Sequence, residues 1–237
     1  MLHLKQGDPE PVVNPEKFTL YDLKFCPFCQ RVRYTLDYHQ IPYDRVLVNL
    51  INKPDWYLRL QPEGKVPLLR FRGERLSESD LVMRFVDQFN GKPETSLLAV
   101  CGEEAFRDSL ALSAELARPR FRVAYSLDAS ADDVDAFVAT CGKLEAALKQ
   151  PYLYGDRVSL ADLAIVPFFN YWHYTMQRLT DLKADTTEEG ISTAFPKLRQ
   201  YREMMLSQPY VTATACDEDE YAKFVQLWRV KDANAIF

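Results

Sequence analysis

Strand and helix signals alternate along residues 18–89, and this order limits the fold of the chain more than any other feature. The strand-like segments are rich in aromatic and apolar residues, and the helical segments repeat apolar residues at three- or four-residue spacing. The segments are a strand at 18–23, a helix at 27–39, a strand at 43–48, a helix at 54–60, a hairpin of 66–71 and 74–77, and a helix over 81–89 ended by Asn90 and Gly91. Strand–helix–strand units of this spacing predict a small sheet with a parallel part, covered by helices.

The sequence changes character after Pro93. Residues 103–231 offer almost no convincing strand and many stretches with a 3.6-residue apolar period. Ser130 is placed to cap one helix, and Ser159 with Asp162 fits a capping box at the start of another, in which Pro167 predicts a bend. We therefore expect an α/β domain over 17–91 followed by an all-helical domain over 102–237.

Composition narrows the class of protein. Lys and Arg number 29 against 34 Asp and Glu, a net charge of −5, which argues against a dedicated nucleic-acid or anionic-membrane surface. The longest apolar run, 163–169, is far shorter than the roughly twenty residues of a membrane span, and the first residues have no apolar signal core. Five cysteines without an export signal fit a reducing compartment, and the three histidines stand far apart. We expect a cytoplasmic protein with no metal site and no nucleic-acid or membrane partner.

A Cys-x-x-Cys motif, Cys26-Pro27-Phe28-Cys29, lies between the first predicted strand and the first predicted helix. The reactive form of cysteine is the thiolate, and a helix N-terminus stabilises it through its partial positive charge and free N–H groups. Cys26 is therefore the expected nucleophile. Cys29, three residues on, is placed to close a disulfide with it. Two packed core thiols are the alternative interpretation.

Three further features suit a peptide ligand that carries both charges. The Val66-Pro67 bond, if cis, would offer the backbone of Val66 to a peptide-like ligand, whereas an ordinary edge proline is the alternative. Ser79 is placed to cap the next helix and, with Glu78, to hold the carboxylate and ammonium of an amino-acid head group, although plain capping is also open. Lys53 is placed to meet a second carboxylate. Glutathione has these groups.

With these residues in hand, the chain resembles a cytosolic glutathione transferase, and most of all the omega class. The most specific matching segments are 25–28, 52–56, 64–67, 77–79 and the capping box of Ser159 and Asp162. The resemblance implies an α/β thioredoxin-like N-terminal domain, an all-α C-terminal domain and a homodimer. It also implies glutathione as a co-substrate, with no tightly bound cofactor.

By position, the resemblance assigns Cys26 as the nucleophile that forms a mixed disulfide with glutathione. The remaining assigned residues are Phe28 lining the thiol pocket, Lys53 facing the glycyl carboxylate, Val66 and Pro67 clamping the cysteinyl unit, and Glu78 with Ser79 holding the γ-glutamyl group. The second-substrate pocket is assigned to Phe168, Tyr171, Trp172 and Tyr221. Omega members commonly have a small residue where Cys29 stands, and Tyr171 replaces a basic pocket residue of some relatives.

Our leading hypothesis is a glutathione-dependent thiol transferase that reduces a small disulfide or an oxidised acceptor such as dehydroascorbate. One alternative is a non-catalytic or channel-like relative of the same fold. It is disfavoured because Arg31, Arg33 and Asp37, expected on the outer faces of the first helix, would be costly in lipid. Another is a dithiol glutaredoxin-type reductase that uses Cys29 as the resolving thiol. The basic run 118–122 is expected to form a surface cluster at a helix break; the alternative is that it borders an inter-domain cleft and attracts anionic substrates.

Overall fold

The computed structural model describes residues 2–89 and 93–232, which divide into two compact units. The described residues of the first unit are 2–89 together with 230–232, and those of the second unit are 93–229. Among the described residues, no helix is both long and apolar enough to cross a membrane.

The described part of the first unit confirms the predicted alternation of strands and helices. Its elements are β1 (Phe18–Asp22), α1 (Pro27–Tyr38), β2 (Tyr43–Leu47), α2 (Asp55–Leu60), β3 (Leu68–Phe71), β4 (Glu74–Ser77) and α3 (Ser79–Phe89). The four strands form one mixed sheet in the order β2-β1-β3-β4, in which β1 is parallel to β2 and antiparallel to β3. The predicted helix stop at Asn90 and Gly91 lies outside the described residues.

The sheet is covered on both faces because successive side chains of β1 point in opposite directions. Leu20 packs with Val32 of α1 and Val82 of α3 in one core cluster. Tyr21, the next residue, packs with Trp56 and Tyr57 of α2 in the other cluster. α1 and α3 therefore share one face of the sheet and α2 covers the other, so the starts of α1 and α3 lie on the same side.

The N-terminal segment attaches to the sheet beside the Cys-x-x-Cys motif. Leu4 pairs in parallel with Val48, the residue that follows β2. His3 is buried, and its Nε2 accepts a hydrogen bond of 3.1 Å from the backbone N–H of Lys24. The N-terminal segment thus stabilises the loop between β1 and α1 through the hydrogen bond to Lys24.

The described residues of the second unit form helices joined by loops, with one isolated bridge between Tyr152 and Gly155. Its helices are α4 (Leu97–Tyr125), α5 (Ala131–Ala147), α6 (Leu160–Ile165), α7 (Trp172–Leu182), α8 (Glu188–Ala194), α9 (Pro196–Leu206), α10 (Pro209–Thr212) and α11 (Glu218–Arg229). Both predicted helix starts are confirmed: Ser130 with Asp133 and Ser159 with Asp162 form capping boxes at α5 and α6.

The prediction of a bend at Pro167 is wrong. α6 ends at Ile165, and Pro167 lies in a single 3₁₀ turn, Val166–Phe169, that follows it. A proline cannot donate the backbone hydrogen bond that would continue an α-helix, and here the helix stops instead of bending.

The basic run around Pro119 also differs from the expectation. α4 continues through Pro119, and the non-helical residue inside it is Gly102, with φ 80°. Arg120 is buried and donates a hydrogen bond of 3.0 Å to the backbone carbonyl of Asn170. The surface-cluster interpretation is therefore wrong for Arg120, which links α4 to the segment before α7.

Candidate active site

Cys26 is the N-cap residue of α1, where its backbone is still extended (φ −76°, ψ 120°). Pro27 occupies the first turn, as the sequence predicts, because its missing N–H has no helical partner at that position. Cys26 is half-buried and Cys29 is fully buried, and both are free cysteines. The cysteine expected to react is thus the more accessible of the two.

The surroundings of Cys26 favour its thiolate. The pKa of the Cys26 thiol is lowered, chiefly because the Cys29 thiol hydrogen-bonds its sulfur, and the backbone N–H groups of Cys29 and Phe28 add to this. Burial and the negative charge of Asp22 act in the opposite direction. An anion at the first turn of a helix gains further from the helix dipole.

Cys29 behaves differently from Cys26. Burial raises the pKa of the Cys29 thiol well above its ordinary value, and its hydrogen bond to Cys26 and the charge of Asp22 raise it further. The thiol therefore keeps its proton and donates a hydrogen bond to the Cys26 sulfur. The lowered pKa of Cys26 favours its thiolate, and Cys29 is the hydrogen-bond donor to that sulfur.

A buried ion pair supports the loop that leads to Cys26. Asp22, the last residue of β1, accepts two hydrogen bonds from Nη1 of Arg33, at 3.0 and 2.7 Å, and one of 2.7 Å from Nε of Arg45. Burial would raise the pKa of the Asp22 carboxyl, but the two positive charges outweigh it and lower the pKa. Arg33 also donates a bond of 3.0 Å to the carbonyl of Lys24. The prediction that Arg33 lies on an outer face of α1 is wrong, because Asp22 provides a buried partner.

The segment before β3 places Lys53 close to the predicted clamp. The Val66–Pro67 peptide bond is cis. Gly64 has φ +63°, and a Cβ there would lie 2.8 Å from the side chain of Lys53, which therefore packs directly over this glycine. Among the described residues, no hydrogen bond engages the backbone N–H or carbonyl of Val66. The structure thus packs Lys53 over a glycine that lies two residues before the open backbone of Val66.

The start of α3 differs in one respect from the prediction. Glu78, with φ 69°, is the residue that precedes the helix, and its carbonyl accepts the N–H of Val82. Ser79 is the first helical residue and does not cap the helix. Its hydroxyl instead accepts a hydrogen bond of 3.1 Å from Nη1 of Arg31. Glu78 is exposed, whereas Ser79 is buried.

Arg31 and Tyr57, which the sequence did not single out as site residues, connect the segments of the candidate site. Arg31 was expected on an outer face of α1, but it is buried, lies 5.1 Å from the ring of the half-buried Phe28, and bonds to Ser79. Tyr57 of α2 donates a hydrogen bond of 2.6 Å to the carbonyl of Lys65. The only sequence feature that could have indicated a role for Arg31 is its position close after the Cys-x-x-Cys motif. No sequence feature indicates a role for Tyr57.

The four residues assigned to a second-substrate pocket all lie in the second unit and are buried. The rings of Tyr171 and Tyr221 stack at 3.9 Å with an interplanar angle of 9°. Trp172 instead packs against Phe137 and Phe169. The structure therefore brings Tyr171 and Tyr221 together but places Trp172 in another aromatic group. Substrate contact by any of them, or by Phe168, stays a prediction.

Known proteins share this arrangement along most of the chain. Family models of the glutathione S-transferase N-terminal and C-terminal domains match residues 25–88 and 104–203. Pyrimidodiazepine synthase of Drosophila melanogaster is 30% identical, over 94% of this chain and 91% of the fly protein. Mouse (Mus musculus) glutathione S-transferase omega-1 is 26% identical, over 95% and 92%. A probable chloroplastic rice (Oryza sativa subsp. japonica) glutathione S-transferase, DHAR2, is 32% identical, over 68% of this chain and 57% of its own length.

Solved structures agree with the sequence relatives. Glutathione transferase Omega 1C from Trametes versicolor matches with a TM-score of 0.75 and 24% identity, over 92% of this chain and 98% of the fungal chain. The fold is therefore a thioredoxin-like domain with a cysteine at its first helix start, followed by a helical domain. The chain belongs to the glutathione S-transferase family. Within that family it is an omega-like member, as the sequence analysis predicted.

Proposed function

We propose that this protein is a glutathione-dependent thiol transferase and dehydroascorbate reductase with Cys26 as its nucleophile. The observation that carries the proposal is the half-buried Cys26 at the start of α1, whose thiol pKa is lowered by the Cys29 thiol and by helix N–H groups. Relatives named as DHAR glutathione S-transferases support the reductase part. Glutathione is the co-substrate, and no tightly bound cofactor is needed.

The proposed turnover consists of two thiol–disulfide exchanges. The Cys26 thiolate attacks the glutathionyl sulfur of a mixed disulfide; that S–S bond breaks, a Cys26–glutathione disulfide forms, and the released thiolate takes a proton from water. A second glutathione thiolate attacks the glutathionyl sulfur, which gives oxidised glutathione and frees the Cys26 thiolate. With dehydroascorbate, two glutathione molecules supply two electrons and two protons, giving ascorbate and oxidised glutathione.

We assign glutathione binding to the domain over 17–91. Lys53 would face the glycyl carboxylate, and the unengaged backbone of Val66, next to Pro67, would pair with the cysteinyl unit. Glu78 and Ser79 would hold the γ-glutamyl group, where a carboxylate is favoured by the N–H groups at the start of α3. Phe28 would line the thiol pocket. We assign the second substrate to the domain over 102–237.

We propose that glutathione, and not Cys29, releases the glutathionylated enzyme. A resolving thiol must ionise and reach the disulfide, but Cys29 is fully buried and its thiol pKa is raised by burial. Its hydrogen bond to Cys26 gives it a different use, as the donor that stabilises the nucleophile. This distinguishes the proposal from the dithiol glutaredoxin-type mechanism.

Hydroxyethyl disulfide turnover with Cys26→Ser and Cys29→Ala tests this mechanism. We expect Cys26→Ser to lose turnover and Cys29→Ala to retain it, several-fold slower below pH 7 because the thiolate has lost a donor. Intact mass of the oxidised wild type should show one added glutathionyl group. Loss of turnover in Cys29→Ala, together with a mass decrease of two hydrogen atoms in the oxidised wild type, would support the dithiol mechanism instead.

Retention on immobilised glutathione, combined with turnover assays, distinguishes the proposed enzyme from a non-catalytic or channel-like relative. A folded wild-type protein that is retained but turns over neither hydroxyethyl disulfide nor dehydroascorbate would be a non-catalytic relative. We further propose a cytoplasmic homodimer, which light scattering and localisation of a tagged full chain would check.

A further inference from the structure

Arg31 joins the start of α1 to the start of α3. It lies five residues after Cys26, its side chain is buried, and its Nη1 donates a hydrogen bond of 3.1 Å to Oγ of Ser79. Its guanidinium carbon lies 5.1 Å from the centre of the Phe28 ring. One cation therefore contacts both Phe28, two residues after the nucleophile, and Ser79, which is assigned to the γ-glutamyl group.

We infer that Arg31 is a positioning residue that serves two parts of the site at once, orienting the Ser79 hydroxyl and stabilising the Cys26 thiolate with its charge. The Ser79 part rests on the proposed binding of glutathione. The Cys26 part concerns the thiol alone and does not require a ligand.

The orientation of Ser79 follows from what each group can donate. A guanidinium has five N–H donors and no acceptor, so the Ser79 oxygen must accept this bond. The hydroxyl proton of Ser79 is then directed elsewhere and can be donated to a ligand carboxylate. A bond to a cation also polarises the hydroxyl, which strengthens that donation.

Because the Arg31 side chain is buried, water screens its charge only weakly. Burial lowers the pKa of the Arg31 guanidinium to about 10, while the negative charges of Asp80 and Cys26 act in the opposite direction, so the group stays protonated at neutral pH. The other ionisable groups that interact electrostatically with Cys26 are Cys29 from α1, Asp22 from β1 and Tyr57 from α2. Asp22 opposes the thiolate and is itself paired with Arg33 and Arg45, whereas Cys29 and Tyr57 are neutral. Arg31 is a cation outside that ion pair, and its charge interacts favourably with the Cys26 thiolate.

The test compares Arg31→Met, Arg31→Lys and Ser79→Ala, with Arg59→Met on the exposed side of α2 as the control. The first readout is the pH dependence of Cys26 alkylation by iodoacetamide, followed by mass spectrometry without glutathione. We expect Arg31→Met to raise the apparent thiol pKa by about one unit, which is about a tenfold loss of thiolate below that pKa. Arg31→Lys, Ser79→Ala and Arg59→Met should leave it near the wild-type value.

The second readout is binding of S-methylglutathione, measured by calorimetry. Arg31→Met and Ser79→Ala should both weaken it several-fold, and Arg31→Lys should weaken it although the charge is kept, because an ammonium lacks the fixed fork of the guanidinium. An unchanged alkylation profile in folded Arg31→Met would overturn the inference. If Arg31→Met does not fold, the test uses Arg31→Lys instead. An Arg31→Lys protein that binds S-methylglutathione as tightly as the wild type, with an unchanged Cys26 thiol pKa, would exclude the positioning role. Absence of binding by the wild type, with the alkylation shift present, would refute the proposed function alone.

Discussion

The phenolic oxygen of Tyr57 lies 2.6 Å from the backbone carbonyl oxygen of Lys65 and donates a hydrogen bond to it. This bond attaches α2 to the residue immediately before Val66, whose backbone is the proposed clamp for glutathione. Burial raises the pKa of Tyr57, so the phenol keeps its proton and remains a donor at neutral pH. A hydrogen bond from α2 therefore fixes the segment that contains the proposed clamp.

Tyr57→Phe removes this donor and keeps the ring. We expect a loss of about 1 kcal/mol in the free energy of unfolding, the usual net value of one hydrogen bond. We also expect KM for glutathione to rise several-fold with kcat nearly unchanged, because the clamp loosens while Cys26 is untouched. Urea unfolding and steady-state thioltransferase kinetics measure the two effects.

Tyr21→Phe is the matched control for Tyr57→Phe. Its ring centre lies 5.7 Å from that of Tyr57, and its hydroxyl has no hydrogen-bond partner among the described residues. Removing that hydroxyl should leave KM unchanged and should not lower stability, because an unpartnered buried hydroxyl contributes only a desolvation cost. Equal effects of the two substitutions would show that the Lys65 bond has no role.

Gly64→Ala is expected to damage glutathione binding through Lys53. A Cβ at this position would lie 2.8 Å from the Lys53 side chain, which must then move, and the backbone at φ +63° is strained for alanine. Gly73→Ala is the control, since Gly73 has φ +84° but nothing within 4 Å of its added Cβ. Both variants should lose about 1 kcal/mol of stability. A several-fold rise in KM for glutathione in Gly64→Ala alone supports the role of Lys53, and equal KM values would contradict it.

Features of the site that depend on local chemistry could be predicted from the sequence. Pro27 suits only the first turn of a helix, so the position of Cys26 at the start of α1 follows from its neighbour alone. The box of Ser159 and Asp162 is equally local, since both partners lie within four residues. Such features need no knowledge of the tertiary fold.

Contacts between distant segments could not be predicted in this way. Arg31 and Ser79 are 48 residues apart, and a charged residue in a helix is expected at the surface unless its buried partner is known. Asp22 supplies such a partner for Arg33. Pro167 shows a different limit: a proline excludes a regular helix, but the surrounding packing decides whether the helix bends or ends.

Asp37 should make stability depend on pH between about 4 and 6. Burial raises the pKa of this carboxyl to about 6, although the Tyr43 hydroxyl and the charges of Arg33 and Arg45 act against the shift. The folded state then binds the proton more tightly than the unfolded state, so ionisation costs stability. The cost is absent below the unfolded pKa, grows as pH rises, and is complete above the folded pKa.

Asp37→Asn removes this cost and keeps an acceptor for Tyr43, whose hydroxyl lies 3.4 Å from Oδ2 of Asp37. A shift of this size corresponds to roughly 3 kcal/mol for a fully buried group, and screening at this partly exposed carboxyl reduces it to about 1 kcal/mol. We expect the variant to be more stable than the wild type at pH 7.5 and equal to it at pH 3.5, measured by urea unfolding. A difference that does not change with pH would show that the carboxyl does not titrate in this range.

The two capping boxes of the helical unit should differ in their contribution to stability because only one of them is buried. Asp162 accepts hydrogen bonds from the N–H of Leu153 at 2.8 Å, from the N–H and hydroxyl of Ser159, and from the Tyr201 hydroxyl at 3.0 Å. Asp162→Ala leaves all these donors buried without an acceptor, at a cost of about 1–3 kcal/mol for each unsatisfied group. We expect a total loss above about 3 kcal/mol in thermal or urea unfolding.

The box at α5 provides the comparison. Asp133 accepts the N–H of Ser130 at 3.0 Å, but Ser130 is exposed, so water replaces the lost acceptor in Asp133→Ala. The expected loss there is about 1 kcal/mol, the usual value of an exposed cap. Asp162→Asn separates charge from acceptor geometry: an amide oxygen serves some of the donors, so this variant should fall between the wild type and Asp162→Ala. Similar losses for Asp162→Ala and Asp133→Ala would mean that burial does not determine the contribution of a capping box in this protein.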